Sequence, residues 1–253
     1  MNIVFIGAGN LATNLSITLK DAGYSILQVY SRTGKSAQEL AQKINCDYTT
    51  DINNLKKADI YFFSVADKII PKLLESSNFE NKFIVHTAGS VSIDVFKNKS
   101  NNYGVLYPLQ TFSKERIVDF KNIPICIEAN NSESHQLLEN IANSISNDVR
   151  LIDSEQRKII HLTAVFACNF VNHLYSISSD ILKKGNLPFD ILKPLIIETA
   201  NKIIDKDPKC VQTGPAVRND TQTIEKHLEM LDDQNLKNIY RLISDDIFRM
   251  MNE

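Results

Sequence analysis

Apolar residues recur along the first half of the chain in short blocks separated by glycine, asparagine and aspartate, and along the second half at helical spacing with few such breaks. Asn2–Ile6 is a β-branched and aromatic run that fits a buried strand, and Leu11, Leu15, Leu19 and Ala22 follow at helical spacing until Gly23 ends the element. The same pattern predicts strands over 26–30, 46–49, 59–65, 82–86, 103–107, 123–128 and 149–152. Helices are predicted over 36–44, through Ile69, Leu73 and Leu74, and over 134–145. From Asp153 the strand-like runs stop. Residues 154–183 read as one long helix closed by Gly185-Asn186-Leu187-Pro188, residues 189–204 as the next, and Asp207-Pro208 ends that one. Asn219 and Gln222 have capping-box spacing for a helix to about residue 231, and a last helix runs over 234–250. Strands alternating with helices, then helices alone, predict an α/β fold: a doubly wound, Rossmann-like sheet over 1–153 followed by a smaller all-α domain over 154–253.

Composition narrows the function. The net charge is −2 and no basic block or aromatic-and-basic stripe occurs, so nucleic acid is not an expected partner. Apolar runs are broken well before the length that spans a bilayer, and the apolar start lacks the basic region and cleavage site of a secretory leader, so no membrane partner is expected either. Cys46, Cys126, Cys168 and Cys210 stand far apart without a C-x-x-C pair, which makes neither a metal site nor a disulfide frame. A reduced cytoplasm is the expected setting.

The first strand runs straight into Gly7-Ala8-Gly9-Asn10-Leu11-Ala12, the G-x-G-x-x-A spacing of a dinucleotide loop in its required place between strand and helix. Gly7 allows the tight turn, Gly9 lets a diphosphate approach the backbone, and small Ala12 lets the helix pack close to the sheet. At the end of the second strand, where NAD-binding chains present a carboxylate, this chain has Ser31, Arg32 and Thr33, with Lys35 behind. A carboxylate would repel a 2′-phosphate and Arg32 would pair with it, so NADP is the expected cofactor; the alternative is that Arg32 and Lys35 are solvated cations. Ser64, Val65 and Asp67 close the strand over 59–65 and are expected along the nicotinamide half, although Asp67 also reads as a helix cap. His86, Thr87 and Ser90 cluster at another strand's carboxyl end, and Gln110 and Thr111 follow Pro108 in a rigid turn. Position makes these substrate candidates, although a single histidine at a strand end is often structural.

Several stretches together, GAGNLA, HTAGS, YPLQTFS, HLTAVFACNFVNHL and QTGPAVRND, extend over nearly the whole chain. They resemble the Rossmann-like NADP oxidoreductases that carry a C-terminal helical domain of unknown function, and more distantly pyrroline-carboxylate reductase, ketopantoate reductase and the 3-hydroxyacid dehydrogenases. The resemblance implies that the helical domain closes the cofactor crevice and makes a two-fold homodimer. The dehydrogenases use a lysine one turn before an asparagine, but the residue one turn before Asn169 is Val165, so this proton donor is missing.

His161, Asn169 and His173 are the polar residues of the long apolar helix with chemistry to offer. On an ideal helix Asn169 lies about 80° round and about 12 Å along from His161, with His173 one turn further, so the three could share a broad face. An imidazole exchanges protons near neutrality, which makes His161 the substitute donor and Asn169 its companion; packing against another helix or subunit is the alternative for all three. In the QTGPAVRND loop, Thr213 and Arg218 are substrate candidates, Arg218 for a carboxylate or phosphate with Asp220 orienting it, unless the two form only a surface pair. The expected function is NADP-dependent hydride transfer on a small C=O or C=N substrate, and the alternative is a non-catalytic NADP-binding sensor.

Overall fold

A computed structural model describes residues 1–252. Its strands are β1 (Asn2–Ile6), β2 (Ser25–Tyr30), β3 (Asp47–Thr49), β4 (Ile60–Phe63), β5 (Phe83–His86), β6 (Tyr103–Pro108), β7 (Ile125–Ala129) and β8 (Val149–Leu151). They form one sheet in the order β3-β2-β1-β4-β5-β6-β7-β8. β1 to β6 run parallel, β7 is antiparallel to β6, and β8 is parallel to β7. Strand order reverses between β1 and β4, so the sheet has a switch point beside the glycine loop, the crevice in which doubly wound folds bind ligands.

Burial on both faces explains why the parallel strands are apolar throughout. Ile3 and Phe5 enter one core with residues of α1 (Asn10–Asp21), α2 (Gly34–Ile44) and, further along, α4 (Ser132–Ile145). Val4 and Ile6 enter the other, with Ile70, Leu73 and Leu74 of α3 (Ile70–Ser76) and Phe96. The predicted elements form with shifted ends. β4 is shorter than the apolar run that suggested it, and α2 starts before Ser36, at Gly34. Asp67 does not cap α3: it opens a 3-10 turn, Asp67–Ile69, and its carboxylate accepts a hydrogen bond from Ser90 Oγ.

After β8 the chain enters α5 (Ser154–Ala164) through a capping box, in which the Asp153 carboxylate accepts from the Gln156 N–H and the Gln156 side chain accepts from the Asp153 N–H. The long helix predicted from here is interrupted. Val165–Phe170 is a π turn, and α6 (Val171–Lys184) continues from it. Arg157 fixes α5 to the sheet. Its guanidinium is fully buried and donates to Glu128 on β7 at 2.5 Å, to the Val91 carbonyl at 2.5 Å and to Ser154 Oγ at 3.1 Å. The strands therefore end before Asp153, as the sequence pattern places them, while the compact unit extends through α5 to Leu174.

The second unit, Tyr175–Glu253 as the contacts divide the chain, is helical: the rest of α6, then α7 (Lys193–Asp205), α8 (Thr221–Glu229) and α9 (Gln234–Asn252). Lys184 pairs with Asp232 at 3.1 Å, and His227 Nδ1 shares a hydrogen bond with the Tyr240 hydroxyl at 2.8 Å. The cap of α8 is Asp220, whose carboxylate accepts from the Thr223 N–H at 3.0 Å and from its hydroxyl at 2.7 Å. Asn219, the expected cap, instead takes a left-handed φ of 52° in the turn before it. Asp220 is thus engaged by the helix start, and Arg218 is exposed beside it.

Candidate active site

Sequence and backbone geometry agree at the glycine loop. Gly7 has a φ of 124°, and a Cβ there would lie 2.2 Å from the Ser64 carbonyl oxygen, so the crossing of the β1 and β4 ends excludes any side chain. Gly9 is the N-cap of α1 without a side-chain cap, and nothing lies within 4 Å of where its Cβ would be. The first N–H groups of α1 thus open onto free space. That is the cradle a diphosphate requires, and the residues present fit the cofactor. Fully buried Ala12 seats the helix against the sheet. A cleft of about 380 Å³ runs from Gly7 and Gly9 past Ser64 and Val65 to Ser31, Arg32 and Thr33. Lys35 pairs with Glu39 at 4.0 Å instead of lining it.

A second cavity of about 590 Å³ lies on the other side of the loop, where Asn10 and Leu11 line it. Its wall carries Gln110, Thr111, His161, Asn169 and Tyr107, the last not anticipated from sequence. The Tyr107 hydroxyl is 3.3 Å from His161 Nδ1, and the two rings meet edge to face with centroids 6.2 Å apart. A Cβ on Gly89 would come within 2.6 Å of the same imidazole nitrogen, so the glycine is what lets the ring lie against the β5 loop. Burial, first of all, pushes the Tyr107 phenol up from its ordinary value, so the hydroxyl is held in its protonated form.

The π turn explains why Asn169 joins His161. An i→i+5 turn inserts one residue into the helical count, so the eight steps from His161 to Asn169 act as seven and leave the side chains about 20° apart, not about 80°. Both line the cavity, whereas His173 stays exposed on α6 outside that lining.

Burial removes two of the candidates. His86 has no exposed surface; its Nδ1 accepts from the Ala88 N–H at 3.2 Å, and its ring lies 5.4 Å from that of Phe96. Burial, and then the charge of Arg157, lower its pKa to about 3, so it is a neutral packing group. Thr87 is buried, with its hydroxyl donating to Ser64 Oγ at 3.2 Å. Ser90 is exposed but bound to Asp67. Thr213 and Arg218 belong to the second unit. Tyr107 is the last residue but one of β6, near the same sheet edge at which His86 ends β5, so the strand-end rule that singled out His86 could have found it.

Among the described residues no group of three metal-ligating side chains occurs, and no helix is long and apolar enough to cross a membrane.

Comparison with known proteins gives this architecture a lineage. Residues 2–89 match the family described as NADP oxidoreductase, coenzyme F420-dependent, and residues 123–247 match a domain of unknown function, DUF2520. No curated protein matches. Among solved structures, a Bacteroides fragilis protein provisionally named an NADP oxidoreductase is 49% identical, with 98% of each chain covered and a TM-score of 0.93. A Thermotoga maritima protein is 25% identical over 95% of this chain and 97% of its own, with a TM-score of 0.77. An imine reductase from Myxococcus stipitatus in complex with NADP+ shares the fold at 14% identity, 100% and 93% coverage and a TM-score of 0.66. With the glycine cradle, the cation at the β2 end and an identity of 49% along nearly the whole chain, this protein belongs to the NADP oxidoreductase family in which a Rossmann-like domain precedes a helical domain of unknown function.

Proposed function

We propose that the protein catalyses NADP-dependent hydride transfer to or from a small C=O or C=N substrate held in the cavity of Tyr107, His161 and Asn169. The observation that carries this reading is the meeting of an imidazole, a phenol and an amide in one cavity lined by Asn10 and Leu11, the residues that directly follow the glycines of the dinucleotide cleft. NADP supplies the hydride chemistry when bound. Gly7, Gly9 and the start of α1 receive its diphosphate, Ser31, Arg32 and Thr33 its 2′-phosphate, and Ser64 and Val65 the nicotinamide half. His161 delivers the proton that the substrate's oxygen or nitrogen needs, standing in for the lysine that Val165 displaces. Tyr107 holds the other ring nitrogen, and Asn169 orients the polar end of the substrate. The helical second unit is proposed to pair with a second copy.

Following NADPH oxidation with a panel of cyclic imines, keto acids and aldehydes tests the reading. Imines head the panel because a fold relative reduces them. Turnover is expected with at least one class. His161→Gln is expected to lower kcat at least about a hundredfold while leaving NADP binding intact. Unchanged turnover in that variant removes His161 from the role, and tight NADP binding with silence across the panel favours a sensor.

A further inference from the structure

We propose that Lys114 is a second cation for the 2′-phosphate of the cofactor, carried over the cleft by a strap tied to the helices on either side of β2. This rests on the assignment of the cleft to NADP. The strap, residues 112–118, is fastened to the start of α1. Asn10 Nδ2 donates to the Phe112 carbonyl at 3.0 Å, Asn14 Nδ2 donates to the Ser113 carbonyl at 2.8 Å, and Asn14 Oδ1 accepts from the Val118 N–H at 3.0 Å. Asn14 is fully buried, so these bonds are shielded from competing water. On the far side, Lys43 near the end of α2 donates to the Lys114 carbonyl at 3.4 Å.

Held in this way, the half-buried Lys114 side chain lines the same cleft as Ser31, Arg32 and Thr33. Among the described residues no ion pair with a carboxylate takes up either Lys114 or Arg32. A phosphate monoester carries roughly −1.5 to −2 charges at neutral pH, more than one guanidinium neutralises. A strapped ammonium lining the same cleft as Arg32 supplies the balance. Of the two phosphate groups of the cofactor, the 2′-phosphate is the one at the β2–α2 rim, while the diphosphate has the free N–H groups of α1.

Calorimetric titration of the full chain with NADP and with NAD tests the proposal, because NAD shares everything but the 2′-phosphate. Lys114→Ala is expected to weaken NADP binding by about three- to tenfold and to leave NAD binding unchanged, with Lys114→Arg restoring most of the loss. NAD binding also reports that the variant is folded. NADP affinity equal to wild type in Lys114→Ala, or NADP and NAD weakened in the same proportion, overturns the role of Lys114 while the cofactor assignment stands. A wild-type protein that binds neither nucleotide overturns both.

Discussion

His86 and His161 are the same side chain in opposite circumstances. His161 stands at a cavity wall with its Nδ1 facing the Tyr107 hydroxyl, where a molecule in the cavity can reach it. His86 is sealed between Phe96 and the sheet, where a charge would lose its hydration without gaining a partner. In the unfolded chain a histidine takes up a proton below about pH 6.5, whereas the fold keeps His86 neutral down to about pH 3. Across that window the unfolded state binds more protons. The contribution is therefore fully present above pH 6.5 and is lost progressively as the pH falls toward 3. At pH 5 this amounts to about 2 kcal/mol of lost stability. Urea unfolding at pH 7 and pH 5 should show that difference, and His86→Leu should flatten it; an equal slope in both proteins would assign the acid sensitivity to other groups.

At the scale of elements, α5 is tied to the sheet by Arg157 and Ser154, and Arg157 carries the charge. Arg157 brings a buried guanidinium to Glu128, Val91 and Ser154, joining the helix to β7 and to the loop after β5. His161 is one helical turn further along the same rod. Arg157→Met leaves the Val91 carbonyl without this donor and the Glu128 carboxylate with the Ser154 hydroxyl but no opposite charge, and a stability loss of about 3–5 kcal/mol is expected in chemical denaturation. A loss below about 1 kcal/mol would mean that apolar packing holds the helix. Most elements were legible in the sequence because a doubly wound sheet writes its strands as apolar blocks and its dinucleotide loop as a fixed glycine spacing. The π turn was not, since an inserted residue changes the phase of a helix without altering its composition, and Asn169 could be placed only about 80° from His161. Arg157 and Lys114 were also invisible: each matters through contacts with residues far away in sequence, which no local spacing encodes. His86 misled for a related reason. The carboxyl edge of a sheet gathers ligand residues, but whether a given one points into solvent or into the core is settled by what packs above it, here Phe96.

At the scale of the molecule, the second unit leaves much apolar surface uncovered. α7 and α9 contain no buried residue, and Leu195, Ile204 and Leu242 are 63%, 74% and 72% exposed. Large apolar side chains left this exposed are what an interface covers, and a second copy is the proposed partner. Sedimentation velocity should give a dimer at micromolar concentration, with a Tm that rises with protein concentration. A monomer with a concentration-independent Tm would count against the pairing.

The reversal of direction between β6 and β7 has a consequence for how such a protein can diversify. Between neighbouring parallel strands the chain must run back along the sheet before it can start the next strand, so the connection is packed against a face of the sheet. From β6 to β7 it leaves and re-enters at one rim, beside the glycine-loop cleft, with Asn10 and Asn14 as moorings. Length changes in that stretch spare the strand pairing as long as the moorings to Asn10 and Asn14 are kept, which makes it the natural dial by which descendants of this chain could retune coenzyme choice while the scaffold beneath stays as it is.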